Sequence, residues 1–168
     1  MYYEKCKGNY LRTMTEPMLD LLEAYLWYRK KGVKKEKWLE SVIRFANFLL
    51  EKQNADGSWC RAYSMTGEPV YMNDREEYTT EENDRGRKAS TIIPVMFLCA
   101  LANCLGEEKY LQSAKKAGNY ALEHEVRWEL YQGGTMDNPN VVDKEASQYM
   151  MAGLYHLYQM TKSPEYLE

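Results

Sequence analysis

Histidine is almost missing from this chain, with two residues in 168, and cysteine is scarce, with four. The cysteines stand at positions 6, 60, 99 and 104 and form no Cys-x-x-Cys pair, which argues against zinc knuckles and thioredoxin-type redox chemistry. Cys99 and Cys104 fall in an apolar helical stretch, roughly 140° apart around its axis, and are not placed to bridge. His124 and His156 stand alone. His156 lies in an apolar helix and reads as a core residue rather than a base. There is no Ser–His–Asp set, no metal-spaced His/Cys set and no Gly-rich phosphate loop, so no cofactor is expected. Long apolar runs are missing too. The best one, 91–105, is too short for a membrane span and contains Pro94. The first residues, Met1-Tyr2-Tyr3-Glu4-Lys5, hold no apolar core of a secretory signal. The chain therefore reads as soluble, with its compartment left open: periplasmic or secreted if a leader was removed. Nor is there an excess of positive charge. The net charge of −3 gives no electrostatic case for nucleic acid or an anionic membrane, and neither is expected as a partner.

What is present is an ordinary globular balance, 45% hydrophobic and 28% charged residues, enough for one domain with a core. Tyrosine is the exception, at fifteen residues against four Trp and three Phe. A flat ring with a polar tip suits sugar recognition, but it equally suits helical cores with wet rims.

The hydrophobic periodicity predicts five helices, over about 15–31, 34–53, 90–105, 107–124 and 143–161. Pro17 is expected in the first turn of the first helix and Ser90 as the N-cap of the third. The second helix carries one apolar stripe, from Trp38 and Leu39 through Val42, Ala46 and Leu49, and so does the fourth. The first, third and fifth read as buried, the third with no charge between Thr91 and Leu105. Two long polar loops, 54–88 and 125–142, separate the hairpins. The second and fourth helices open alike, Lys37-Trp38-Leu39 and Lys109-Tyr110-Leu111, and Glu165-Tyr166-Leu167 looks like a third copy. The fold class is all-α: helical hairpins with alternating inner and outer helices. Their long loops gather on one face.

Between the second helix and its loop lies Phe48-Leu49-Leu50-Glu51-Lys52-Gln53-Asn54-Ala55-Asp56-Gly57-Ser58-Trp59. Its spacing of Gln, Gly and Trp resembles the Gln-Trp motif of the terpene-cyclase and (α/α)-toroid superfamily, where it ends an outer helix and pins the next turn. With the inner–outer alternation, the chain looks like part of the six-hairpin glycosidase group of toroids. The resemblance implies a partial ring of hairpins in a single incomplete domain, 1–168. It also implies inner-helix surface left for a partner, which would allow a homo-oligomer. The Asp-x-Asp-Asp motif of the cyclases is missing, which counts against that chemistry.

The residues that could act on a glycan cluster around the second loop. Asp137, Asp143 and Glu145 place three carboxylates near a loop–helix junction, and glycoside hydrolysis needs two. Trp59, Trp128 and Tyr131 could stack on sugar rings, and Asn138 and Asn140 could bond hydroxyls. The expected partner is therefore a poly- or oligosaccharide. Plainer readings stand beside these: Asp143 as an N-cap, Glu145 as an acid favoured by the helix dipole, Asp137 as a turn former, Trp59 as a packing wedge. A non-catalytic module binding a glycan or a protein is the alternative function. A uronate lyase, with a Tyr or His base, ranks behind it.

Overall fold

In the computed structural model, the described residues are 8–70, 88, 90–128 and 144–167. They form five helices and one two-stranded sheet: β1 (Asn9–Tyr10), α1 (Leu11–Lys30), α2 (Glu36–Lys52), β2 (Ala62–Tyr63), α3 (Ile93–Leu105), α4 (Glu108–His124) and α5 (Lys144–Thr161). Single 3-10 turns follow α4, at Val126–Trp128, and α5, at Pro164–Tyr166. The helices lie close to the expected spans, with one clear exception. α1 starts at Leu11 instead of near Thr15, so Pro17 falls inside the helix, where it withdraws the N–H that would bond the Thr13 carbonyl. The early start is held from outside. β1 pairs antiparallel with β2, Asn9 opposite Tyr63 and Tyr10 opposite Ala62. The Leu11 N–H donates to the Arg61 carbonyl at 2.8 Å. The first part of the loop expected over 54–88 is thus ordered by a strand pair that no local pattern announces.

α3 is the centre of the packing and touches α1, α4 and α5. Ile93, Pro94, Val95, Phe97, Leu98, Cys99, Leu101 and Ala102 are all buried, as a charge-free helix requires. Ser90 does not cap it. Ser90 has a positive φ, Ile92 takes the N-cap position, and the Ile93 N–H bonds the Ser90 carbonyl at 3.0 Å. The strict alternation of buried and surface helices also needs correction. α1 and α5 each bury one stripe and leave Trp27 (55%), Met151 (70%) and Tyr155 (49%) exposed. α4 keeps the inward stripe expected of it, Ala114, Ala117 and Ala121, and buries Tyr110 and Gly118 with them in a close approach to α5. Small side chains are the reason. A Cβ on Gly118 would overlap Leu157 of α5, so the two helices approach through the space a side chain would fill.

The repeat suggested by the Lys-aromatic-Leu starts has a structural counterpart. Asn47 and Asn119 occupy the same position in α2 and α4, counting from their first residues (36 to 47 and 108 to 119). The Tyr110 hydroxyl at the start of α4 donates to Asn47 Oδ1 at 3.3 Å. The Tyr166 hydroxyl donates to Asn119 Oδ1 at 2.9 Å. Each amide oxygen receives the tyrosine that opens the following surface segment.

The 53–59 segment is a hub. Gln53 Nε2 donates to the carbonyls of Gly57 and of Ser113 in α4, both at 2.9 Å, and Ser113 Oγ donates back to Gln53 Oε1 at 2.8 Å. Asp56 accepts from the Ser58 N–H and hydroxyl and from Lys88 Nζ at 2.7 Å. Burial alone would raise the Asp56 carboxyl, but the bonds from Lys88 and Ser58 outweigh it and hold it below its ordinary 3.8. A depressed folded-state pKa contributes stability above the unfolded value and loses it as pH falls through the folded one. Wild type is therefore expected to lose more stability below pH 3.8 than Asp56→Asn does, as read by denaturant midpoints across acidic pH. Parallel acid profiles would show that Asp56 is not coupled to folding.

Candidate active site

Two helices that both pack on α3 open the site. α1 begins at Leu11 beside Arg61, and α5 begins at Lys144, just past the second loop. In each, residues four apart share a face. Arg12 and Glu16 do so in α1, Glu145 and Tyr149 in α5. The two faces meet. Arg12 Nη1 bonds Glu145 Oε2 at 2.6 Å, and one turn deeper the Tyr149 hydroxyl makes a short bond to Glu16 Oε1. The helices thus face each other through long polar side chains. The cluster holds two carboxylates, a guanidinium and a phenol, 133 residues apart in sequence. Arg61, only 9% exposed, adds a buried guanidinium residue beside the start of α1.

The electrostatics fix two protonation states. Burial pushes the Tyr149 phenol up to about 12, helped by the bond to Glu16 and its charge, against the pull of Arg12. Burial would lower Arg12, but the bond to Glu145 and the surrounding negative charge raise it. At neutral pH Tyr149 is a hydrogen-bond donor and Arg12 a cation. A phenol so hard to ionise is a poor general base, which weakens the uronate-lyase reading.

The sequence candidates divide three ways. Glu145 is in the cluster. Trp59 has no exposed surface, and its indole N–H donates to the Leu49 carbonyl at 2.7 Å. A ring without an open face offers nothing for a sugar to stack on, so Trp59 as arranged is a packing wedge. Trp128 closes the 3-10 turn after α4. Tyr131, Asp137, Asn138, Asn140 and Asp143 lie outside the described residues. Arg12, Glu16 and Tyr149 were not anticipated. With α1 expected to start near Thr15, Arg12 belonged to a polar lead-in, and its i,i+4 relation to Glu16 was not read. Among the described residues no group of three or more His, Cys, Asp or Glu is arranged to hold a metal. His156 Nδ1 is engaged with the Ala152 carbonyl of its own helix, at 2.8 Å.

No protein-family model, curated protein or solved structure matches this chain. The described residues are mostly helical. No helix among the described residues is long and apolar enough to cross a membrane.

Proposed function

We propose that this chain is a carbohydrate-active helical domain of the (α/α)-toroid kind that hydrolyses glycosidic bonds with carboxylates from the start of α5 and the loop before it. The observation that carries the reading is the pairing of Glu145 with Arg12 one turn above Glu16 and Tyr149. Glycosidic hydrolysis needs one carboxylic acid to protonate the leaving oxygen and one carboxylate to act as base or nucleophile. Glu145, oriented by Arg12, serves as the accepting carboxylate. Asp137 and Asp143, just before α5 in sequence, are the candidates for the proton donor. Tyr149 keeps its proton and holds Glu16 in place.

The test is cleavage of a panel of oligo- and polysaccharides, followed by reducing-end release. Glu145→Gln, Asp137→Asn and Asp143→Asn are each compared with wild type. Loss of a general acid or base lowers turnover by about 10²–10⁴-fold. If all three variants cleave at the wild-type rate, the assignment is wrong. The second reading, a non-catalytic module that binds a glycan or a protein, is favoured by one feature: both carboxylates are already engaged, Glu145 by Arg12 and Glu16 by Tyr149. Oligosaccharide binding in calorimetry without any product would select it.

A further inference from the structure

The turn between α1 and α2 carries a charge the chain average conceals. Arg29-Lys30-Lys31-Gly32-Val33-Lys34-Lys35-Glu36-Lys37-Trp38 holds six cations and one carboxylate, in a chain whose net charge is −3. All six cations but Lys35, which is half-buried, are exposed. The ion pairs among the described residues involve Arg12, Lys52, Lys88 and Lys109, and none of these six. Helix stability accounts for only half of the cluster. Arg29 and Lys30 sit in the last turn of α1 and Lys31 is its C-cap, where the helix dipole favours cations. Lys34, Lys35 and Lys37 sit at the start of α2, where the same dipole disfavours them.

Apolar groups stand among these charges. Trp27 is 55% exposed and Val33 42%. The aromatic residues here meet edge to face and form no single flat surface. Trp27 meets Tyr28 at 86°, Tyr28 meets Trp38 at 83°, and Lys31 Nζ lies over the Trp27 ring at 5.2 Å from its centre. An exposed Trp and Val in a lysine-rich turn, with Lys31 over the Trp27 ring, match the boundary layer of an anionic bilayer. There indole rings partition at headgroup depth while ammonium groups meet lipid phosphates.

We propose that the α1–α2 turn is a peripheral docking surface for membranes rich in anionic phospholipid, with Trp27 and Val33 entering the headgroup layer and Lys30, Lys34 and Lys37 meeting phosphates. The proposal is independent of the glycan chemistry, because it uses none of the α1–α5 cluster residues.

The experiment is co-sedimentation of the full chain with vesicles of equal parts phosphatidylglycerol and phosphatidylcholine, and with pure phosphatidylcholine vesicles. Binding to the first and not the second is expected, weakened by raised salt. The exposed-site variant Lys30→Gln/Lys34→Gln/Lys37→Gln should bind about 100-fold more weakly, with its circular dichroism unchanged. Trp27→Ala should bind roughly tenfold more weakly and lose any blue shift of tryptophan emission on vesicle addition. Equal binding of the triple variant, equal binding to both vesicle types, or no vesicle binding overturns the proposal. So does retention on dextran sulfate without vesicle binding, which would assign the patch to a polyanionic polymer.

Discussion

Trp59→Ala is expected to lower the unfolding free energy by about 3–5 kcal/mol, the range for truncating a fully buried large aromatic. The ring has no exposed surface. Its removal leaves a cavity among residues already held by hydrogen bonds, so collapse around the gap is resisted. It also strips the Leu49 carbonyl, in the last turns of α2, of the indole donor at 2.7 Å. The measurement is a urea titration of wild type and variant, with Trp59→Phe as the companion. Phe keeps most of the apolar burial and loses the N–H, so its cost should be the smaller. A loss below about 1 kcal/mol in Trp59→Ala, the size expected of a surface change, would mean that the ring is not the wedge its burial indicates.

The turn within the 53–59 segment is legible in the sequence because most of its contacts are local. Asn54, Asp56, Gly57 and Ser58 close a turn among themselves, with Gly57 N–H bonding the Asn54 carbonyl at 3.0 Å and Asn54 N–H the Ser58 carbonyl at 2.8 Å. Helix spans were legible for the same reason: apolar periodicity is a property of neighbouring residues. What was not legible depends on distant partners. The start of α1 is set by residues 61–63, some fifty positions away in sequence. The Arg12–Glu145 and Glu16–Tyr149 contacts need α1 and α5 brought to the same side of α3. Glu145 was found from its place beside the loop, while its partners had no local signature.

The close approach of α4 to α5 is illegible for a different reason. The stripe of Ala114, Ala117 and Ala121 marks the inward face of α4, but alanine and glycine are weak hydrophobic signals and do not announce how near a neighbour comes. Small residues instead bring backbones together, and Leu157 fills the space over Gly118. Charge placement is a parallel case: a chain-wide sum of −3 does not display a turn with six cations, three of them at the start of α2, where the helix dipole disfavours them.

Gly57→Ala should cost nearly as much as the loss of the tryptophan, about 3 kcal/mol or more, although it adds a single methyl group. Two penalties coincide there. Gly57 has φ +93°, a conformation that a Cβ makes costly. A Cβ would also stand 2.7 Å from the Lys116 carbonyl carbon and closer still to its oxygen, and that neighbour is backbone inside α4. Relief requires moving the turn away from α4, which would stretch the Gln53 bonds to Gly57 and Ser113. Gly32 separates the two penalties. It has φ +75° with nothing within 4 Å of its Cβ position, so Gly32→Ala should show the conformational term alone, about 1 kcal/mol. Chemical denaturation of both variants gives the contrast. If they are equally destabilised, the approach of the turn to α4 contributes nothing. A cycle with Gln53→Ala then locates the strain. If the glycine is required because it lets the turn reach α4, the double variant will lose less than the two single losses added together, since either change already releases the clasp between α2 and α4. Additive losses would place the glycine's role in its own turn, with the contact to α4 a by-product of the fold.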